Sequence, residues 1–223
     1  MCRASYDWGT TMQTLSGQDV KNILATLALL MEQKKDELGQ LDQAMGDGDL
    51  GLTMSKGFRA VADAVAGMQE TDVGQLLGKA GMVMASTAPS TMGTLVGTGF
   101  MRGAKAVMGK QEVSLADVAA IMGAFVEGIV ARGKAKPGDK TILDSLHPAA
   151  EAVKEAARSG QTLAEGLAAG YRAAQEGLEA TKRMVAQHGK AACFQEQTLG
   201  KPDPGATVGM LLMKVLAEYT SQR

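Results

Sequence analysis

Ser16-Gly-Gln-Asp-Val20-Lys-Asn-Ile23-Leu24-Ala-Thr-Leu27-Ala-Leu-Leu30-Met31 is the stretch on which the fold turns. Val20, Ile23, Leu24, Leu27, Leu30 and Met31 recur at the i, i+3, i+4, i+7 spacing of one helical face, and Ser16 stands where an N-cap is needed. The pattern predicts a helix running to about Leu41. The same periodicity returns at Met54, Phe58, Val61, Val65 and Met68, and again at Val73, Leu76, Leu77, Ala80 and Met84 after the cap candidate Asp72. A fourth helix is predicted over 95–108. A fifth starts at the cap Ser114, carries Val118, Ile121, Met122, Phe125 and Ile129 on one face, and ends at Gly133. Leu143, Leu146, Ala150 and Val153 mark a sixth, the capping box Thr162 to Glu165 opens a seventh, and 208–219 forms the last.

Outward from these runs, Ala, Leu, Met, Glu, Gln and Lys dominate the chain, while alternating stretches of Val, Ile, Thr and aromatics are scarce. The expected fold is therefore all-α, with about eight helices. Faces such as Ala168, Ala169, Gly170, Ala173 and Ala174 let helix axes approach closely. The 15 Met residues read as core filling.

With 223 residues, 45% of them hydrophobic, the chain can bury one sizeable core, and a single domain is expected. A balance of 23 basic against 24 acidic residues, with no basic cluster, speaks against nucleic acid as a partner. Cys2 and Cys193 lie far apart without metal-ligand spacing, so neither a disulfide framework nor a zinc site is expected, and a reducing cytoplasm fits. Arg3, Asp7 and Trp8 interrupt the start where a signal peptide would be apolar, and no apolar run approaches a membrane span. The chain is expected to be cytoplasmic, without a membrane partner.

The chemistry is expected between the helices, in four segments rich in Gly, Asp, Pro, Ser and Thr: 42–53, 86–94, 132–141 and 189–205. The first reads Asp42-Gln-Ala-Met-Gly-Asp47-Gly-Asp49-Leu-Gly51, with three carboxylates crowded together. Like charges a few Å apart disfavour joint ionisation, so a cation is the natural neutraliser. Oxygen ligands without His or Cys point to Mg²⁺, Mn²⁺ or Ca²⁺. An EF-hand is excluded, because the twelfth position counted from Asp47 is Phe58 rather than Glu. Magnesium with phosphate is favoured, since that ion takes one or two carboxylates and completes its shell with phosphate oxygens and water. The plainer alternative is an acidic turn that caps the following helix.

Several familiar patterns can be set aside. Gly46-Asp-Gly48-Asp-Leu-Gly51 fits G-x-G-x-x-G, but no strand precedes it, and its carboxylates would repel a bare pyrophosphate. Gly74-Gln-Leu-Leu-Gly78-Lys79-Ala80 is one residue short of a Walker A loop and lacks its hydroxyl. Protein-kinase signatures are missing. His147 and His188 show no Ser or Cys nucleophile with an acid partner, and His147 reads as structural. The segment 86–94 offers hydroxyls and N–H groups ahead of a helix, an anion cradle or a plain loop. The segments 132–141 and 201–207 carry the same double reading.

Taken together, Asp42-x4-Asp47-x-Asp49-x-Gly51, Arg132-Gly-Lys-Ala-x-Pro-Gly-Asp-Lys-Thr141 and Asp203-Pro-Gly-Ala206 resemble the L subunit or L domain of dihydroxyacetone kinases, in order and in spacing. The resemblance covers residues 17–223 and leaves 1–16 as an N-terminal extension. It implies an eight-helix antiparallel up-and-down barrel with the nucleotide, ADP or ATP, at one end. Asp42, Asp47 and Asp49 would hold two Mg²⁺ ions that bridge the phosphates and serve the transfer. Leu50, Gly51, Leu52 and Thr53 would line the phosphate side with Thr91 and Met92, and Gly133, Ile142, Lys190, Asp203, Pro204 and Gly205 would enclose the rest. A separate K-type subunit would bind the ketose. The phosphoryl donor would be free ATP, or a phosphotransferase-system protein that rephosphorylates bound ADP. The oligomeric state stays open, a homodimer included. An alternative expectation is a nucleotide-sensing regulatory protein without transferase activity.

The sequence also departs from that pattern. The second loop reads Ala88-Pro-Ser-Thr-Met-Gly-Thr94 where a glycine-rich version is usual. Lys190 stands for Arg, and Gln195 and Gln197 for Gly and Arg, so a bidentate phosphate or base contact is expected to differ. Such changes suit a branch acting on another short ketose, a tetrulose for example.

Overall fold

The computed structural model describes residues 12–222; Cys2, Arg3, Asp7 and Trp8, on which the sequence reading drew, lie outside them. Among the described residues there are nine α-helices: α1 (Gly17–Gln33), α2 (Lys35–Gln43), α3 (Leu50–Ala66), α4 (Val73–Thr87), α5 (Thr91–Ala106), α6 (Leu115–Gly133), α7 (Leu143–Arg158), α8 (Leu163–Ala180) and α9 (Pro204–Ser221). Two-residue strands β1 (Leu15–Ser16) and β2 (Glu112–Val113) pair antiparallel, with Leu15 opposite Val113.

The predicted caps form. Ser16, Ser114 and Thr162 each close a capping box with the acid three residues on, and the Asp72 side chain accepts from the Gln75 N–H. The expected first helix is instead bent into α1 and α2 at Lys34, whose backbone leaves the helical region (φ −93°, ψ 4°) while its N–H still donates to Leu30. No apolar side chain lies between Met31 and Leu38 to pin the axis to the core, which leaves the chain free to turn. The bend lays α2 across the start of α3. Gly51 makes this possible, because a Cβ there would overlap the Lys35 carbonyl.

Counting α1 and α2 as one bent stave, the helices form a closed ring of eight: α1 packs on α3, each later helix on its successor, and α9 on α1 again. Neighbours run antiparallel. Across α4 and α5, Gly74 faces Met108 while Gly81 faces Gly97 and Met101; across α7 and α8, Gly177 faces Asp144 and Gly170 faces Val153. These glycines supply the close helix approach read from the small-residue faces. Inside, Phe58, Phe100 and Phe125 stack edge to face, with ring centroids 6.3 and 5.3 Å apart. Beside them lies a cavity of about 120 Å³ with an apolar lining that includes Leu24, Val73, Phe125 and Met213.

Such a ring has two rims. One collects residues 44–49, 88–90, 134–142 and 181–203, the connections that leave α2, α4, α6 and α8. All four segments singled out in the sequence therefore meet at one rim, the carboxylate rim. The far rim holds residues 67–72, 107–114 and 159–162, together with the start of α1 and the end of α9. There the Val73 N–H donates to Lys110 O (2.8 Å) and the Tyr219 hydroxyl to Asp19 Oδ1 (2.7 Å). No helix among the described residues is long and apolar enough to cross a membrane.

Candidate functional site: an acidic turn at one rim of the ring

The last turn of α2 carries Asp42, and the short link into α3 carries Asp47 and Asp49. Gly48 between them adopts φ +76°, a left-handed conformation that L side chains rarely take, and this reversal sends both flanking carboxylates toward Asp42. One ligand oxygen from each of the three lies within 4.8 Å of the others.

The plain capping explanation accounts for only part of this turn. Asp49 occupies the N-cap position of α3, yet its side chain makes no capping hydrogen bond. Asp42 Oδ2 instead receives the Leu50 N–H, at 3.3 Å. Partial burial, then the charges of Asp47 and Asp42, raise the Asp49 carboxyl above the ordinary range. Asp47 goes the other way, lowered by its hydrogen bond with the Lys190 ammonium, and Lys190 is raised in return. The turn thus carries more negative charge than one lysine offsets. Three carboxylates without nitrogen or sulfur donors fit a hard divalent cation in charge and in chemistry.

A second group of contacts stands beside the first. Asp203 caps α9 by accepting the Ala206 N–H (2.7 Å), and Pro204 follows as the first helical residue. A Cβ on Gly205 would lie 2.8 Å from Met92 Cε and 3.2 Å from the Ile142 nitrogen, so the starts of α5 and α9 and the end of the 134–142 connection touch at this glycine. Burial, then Asp144 nearby, pushes the Asp203 carboxyl up to about 7. His188 does find an acid: its Nε2 lies 2.8 Å from Asp139 Oδ2, though among the described residues no Ser or Cys side chain is hydrogen-bonded to the pair.

The predicted residues divide accordingly. Asp42, Asp47, Asp49 and Lys190 converge directly, with Leu50 at the edge. Met92, Ile142 and Gly205 form the second group with Asp203 and Pro204. Leu52 and Thr91 are exposed on the same rim and Thr53 is half-buried. Ile142 is 1% exposed, and its carbonyl already accepts from the Leu146 N–H and the Ser145 hydroxyl. Gly133 ends α6 against Leu95 of α5 and meets neither group. Sequence reasoning passed over Lys140, Asp144, Thr181 and Thr198, whose buried contacts tie the connections together. Only Lys140 lay within a quoted motif, Gly138-Asp139-Lys140-Thr141, and the partners of all four are mostly backbone groups.

Fold and site define a helical-barrel protein with an acidic turn at one rim whose carboxylates fit a divalent cation. A profile of the DAK2 domain matches residues 44–218. The chain is 31% identical over 204 residues to the ADP-binding subunit DhaL of the PEP-dependent dihydroxyacetone kinase of Escherichia coli strain K12, covering 92% of this chain and 97% of that one. It is 33% identical over 217 residues to the L-erythrulose 1-kinase of Mycolicibacterium smegmatis, covering 93% of this chain and 37% of that one. The crystal structure of the dihydroxyacetone kinase from C. freundii in complex with AMP-PNP and Mg²⁺ superposes with a TM-score of 0.71 at 23% identity, over 98% of this chain and 37% of that one, a likeness of fold. This chain belongs to the DAK2 domain family, as an L-type subunit of the dihydroxyacetone kinases.

Proposed function

We propose that this chain is the nucleotide-binding, phosphoryl-transferring subunit of a kinase for dihydroxyacetone or a related short ketose. The observation that carries the reading is the acidic turn, where three carboxylates stand within 4.8 Å and Asp49 is left uncapped above the start of α3. The relatives support it. The Escherichia coli protein is named for binding ADP, the Mycolicibacterium smegmatis protein for phosphorylating a tetrulose, and the C. freundii kinase was crystallised with a nucleotide and Mg²⁺.

In this reading Asp42, Asp47 and Asp49 hold two Mg²⁺ ions together with ADP or ATP. Magnesium, when bound, supplies positive charge that neutralises the phosphate oxygens and the charge developing during transfer. Gly51 and Leu52 offer N–H groups of the first turn of α3, and Thr91 and Met92 those of α5, as donors for phosphate, while Leu50 and Thr53, whose N–H groups go to Asp42 and to the Asp49 carbonyl, line the same side. Lys190 has its ammonium on Asp47, from where it would meet the phosphates of a nucleotide held at this turn. Ile142 and the run Asp203, Pro204 and Gly205 would complete the enclosure, with Gly133 set back from them at the end of α6. The ketose is held by a separate K-type subunit docked over this rim, and residues 17–223 form the binding domain. The Escherichia coli relative is named as PEP-dependent and ADP-binding, which supports the scheme in which ADP stays on this chain in the cytoplasm and a phosphotransferase-system protein would rephosphorylate it.

Calorimetry on the Asp47→Ala variant tests the reading. The wild type is expected to bind ADP with Mg²⁺, and the variant to lose at least a hundredfold in affinity at unchanged far-ultraviolet circular dichroism. Equal binding by the two proteins overturns the assignment.

A further inference from the structure

The connection from α8 to α9 carries Lys190 to the acidic turn, yet the core holds almost none of it. Between residues 182 and 202 only Ala186 and Thr198 are buried. Apolar burial therefore cannot fix its course. Its anchor comes from the neighbouring connection. The Lys140 side chain enters beneath it and donates to three main-chain carbonyls, Thr181 O, Thr198 O and Lys201 O, each at 2.7 Å. An ammonium has three donors, and here all three are used. The residue is 2% exposed, and among the described residues no carboxylate contacts the ammonium directly; burial holds it below the ordinary lysine range, with Asp203 and Asp144 nearby opposing that shift.

Further details support a dedicated anchor. Lys140 takes φ +61°, a left-handed conformation that costs a side-chain-bearing residue roughly 1 kcal/mol or more and that glycine would fill freely. Asp144 maintains the turn on either side, accepting the Gly138 N–H (2.5 Å) and the Thr141 N–H (2.6 Å). The three carbonyls bracket the connection: Thr181 opens it, Thr198 ends the 3₁₀ segment Lys190–Thr198, and Lys201 reaches Ala44 O with its own side chain. Anchoring these points sets where Lys190 and Asp203 stand relative to Asp42 and Asp47.

We propose that Lys140 is a positioning residue for nucleotide binding: its ammonium, by gathering three carbonyls of the 181–203 connection, holds Lys190 and the Asp203 turn in the geometry that receives the nucleotide. The inference rests on the nucleotide reading above and names a residue to which that reading gave no part. Arginine is a poor substitute, because its planar fork cannot converge on three carbonyls from one point.

Three variants test it, with titration of ADP and Mg²⁺ and limited trypsin digestion as readouts. Lys140→Met and Lys140→Arg are expected to stay helical, to bind the nucleotide at least tenfold more weakly, and to be cut faster after Lys182, Arg183 and Lys190. Lys140→Ala is expected to regain part of its affinity with n-propylammonium, which replaces the missing atoms, but not with tetramethylammonium, which has no N–H to donate. That rescue separates positioning from general loss of structure. Unchanged affinity in folded Lys140→Met overturns the proposal, as does a failure of all three variants to fold, which would make Lys140 a support of the whole barrel. If the wild type itself binds no nucleotide, the functional reading fails, and trypsin still judges the anchor: unchanged cleavage in Lys140→Met overturns it.

Discussion

The two rims of the ring differ in how one aspartate at a helix start is treated. At the far rim every such carboxylate is supplied with donors. Asp19 accepts from the Ser16 N–H and from the Ser16 and Tyr219 hydroxyls. Burial alone would raise Asp72, but the N–H groups of Gln75 and Gly109 hold it below the ordinary range. Asp117 is likewise lowered against its desolvation, by Lys110 and Ser114. At the carboxylate rim Asp144 and Asp203 also receive backbone N–H groups, Asp203 being raised to about 7 by burial in spite of them, but Asp49 is left wanting, with no cap bond and a raised carboxyl. Where the backbone supplies the donors, an aspartate stabilises the fold; where it does not, the charge stands ready for a ligand.

The largest effect that would break this contrast lies at Gly51. A methyl group there collides with the Lys35 carbonyl, which is backbone and cannot turn aside. Gly51→Ala is expected to lift α2 and Asp42 off α3, costing roughly 3 kcal/mol in urea unfolding and most of the nucleotide affinity.

Asp203 comes next. Its carboxyl is raised on folding, so the contribution of this group to stability is fully present below pH 4 and is lost as pH rises toward 7. Each tenfold change in proton affinity is worth ~1.4 kcal/mol, so the loss is on the order of 2–4 kcal/mol. Asp203→Asn keeps a capping oxygen and should flatten that decline in unfolding curves measured from pH 5 to 8.

The smallest effects form a matched pair. Asp72→Ala, at the far rim, should cost about 1–2 kcal/mol of stability through its lost cap bonds while nucleotide affinity stays unchanged. Asp49→Asn, at the carboxylate rim, should leave stability equal or raise it by a few tenths of a kcal/mol while affinity collapses. Stability that falls in both variants, or in neither, would dissolve the distinction between the rims.

The sequence made most of this ring legible, because apolar periodicity and four cap residues announce helices one at a time. The bend at Lys34 escaped it: Met31 and Leu38 keep the helical phase across the break, so periodicity alone reads one continuous helix. α5 begins at Thr91, four residues ahead of expectation, because its first turn, Thr91-Met-Gly-Thr94, looks like loop until the Ser90 hydroxyl is seen to cap it. α9 starts at Pro204 rather than 208 for a similar reason, its Asp-Pro start having been read within a loop segment. The acidic turn was legible because crowded carboxylates are a cost that asks for an explanation. Lys140 was not, because main-chain carbonyls leave no mark on a sequence.

Ring closure has a topological consequence. With an even number of antiparallel staves, Asp19 and Asn22 near the start of the chain meet the Tyr219 hydroxyl near its end, on the side away from the carboxylates. The described termini are thus neighbours, and any stave could lead the order. A short peptide joining them, with a new opening between α7 and α8 at the same side, would give a circular permutant whose carboxylates keep every neighbour they have now.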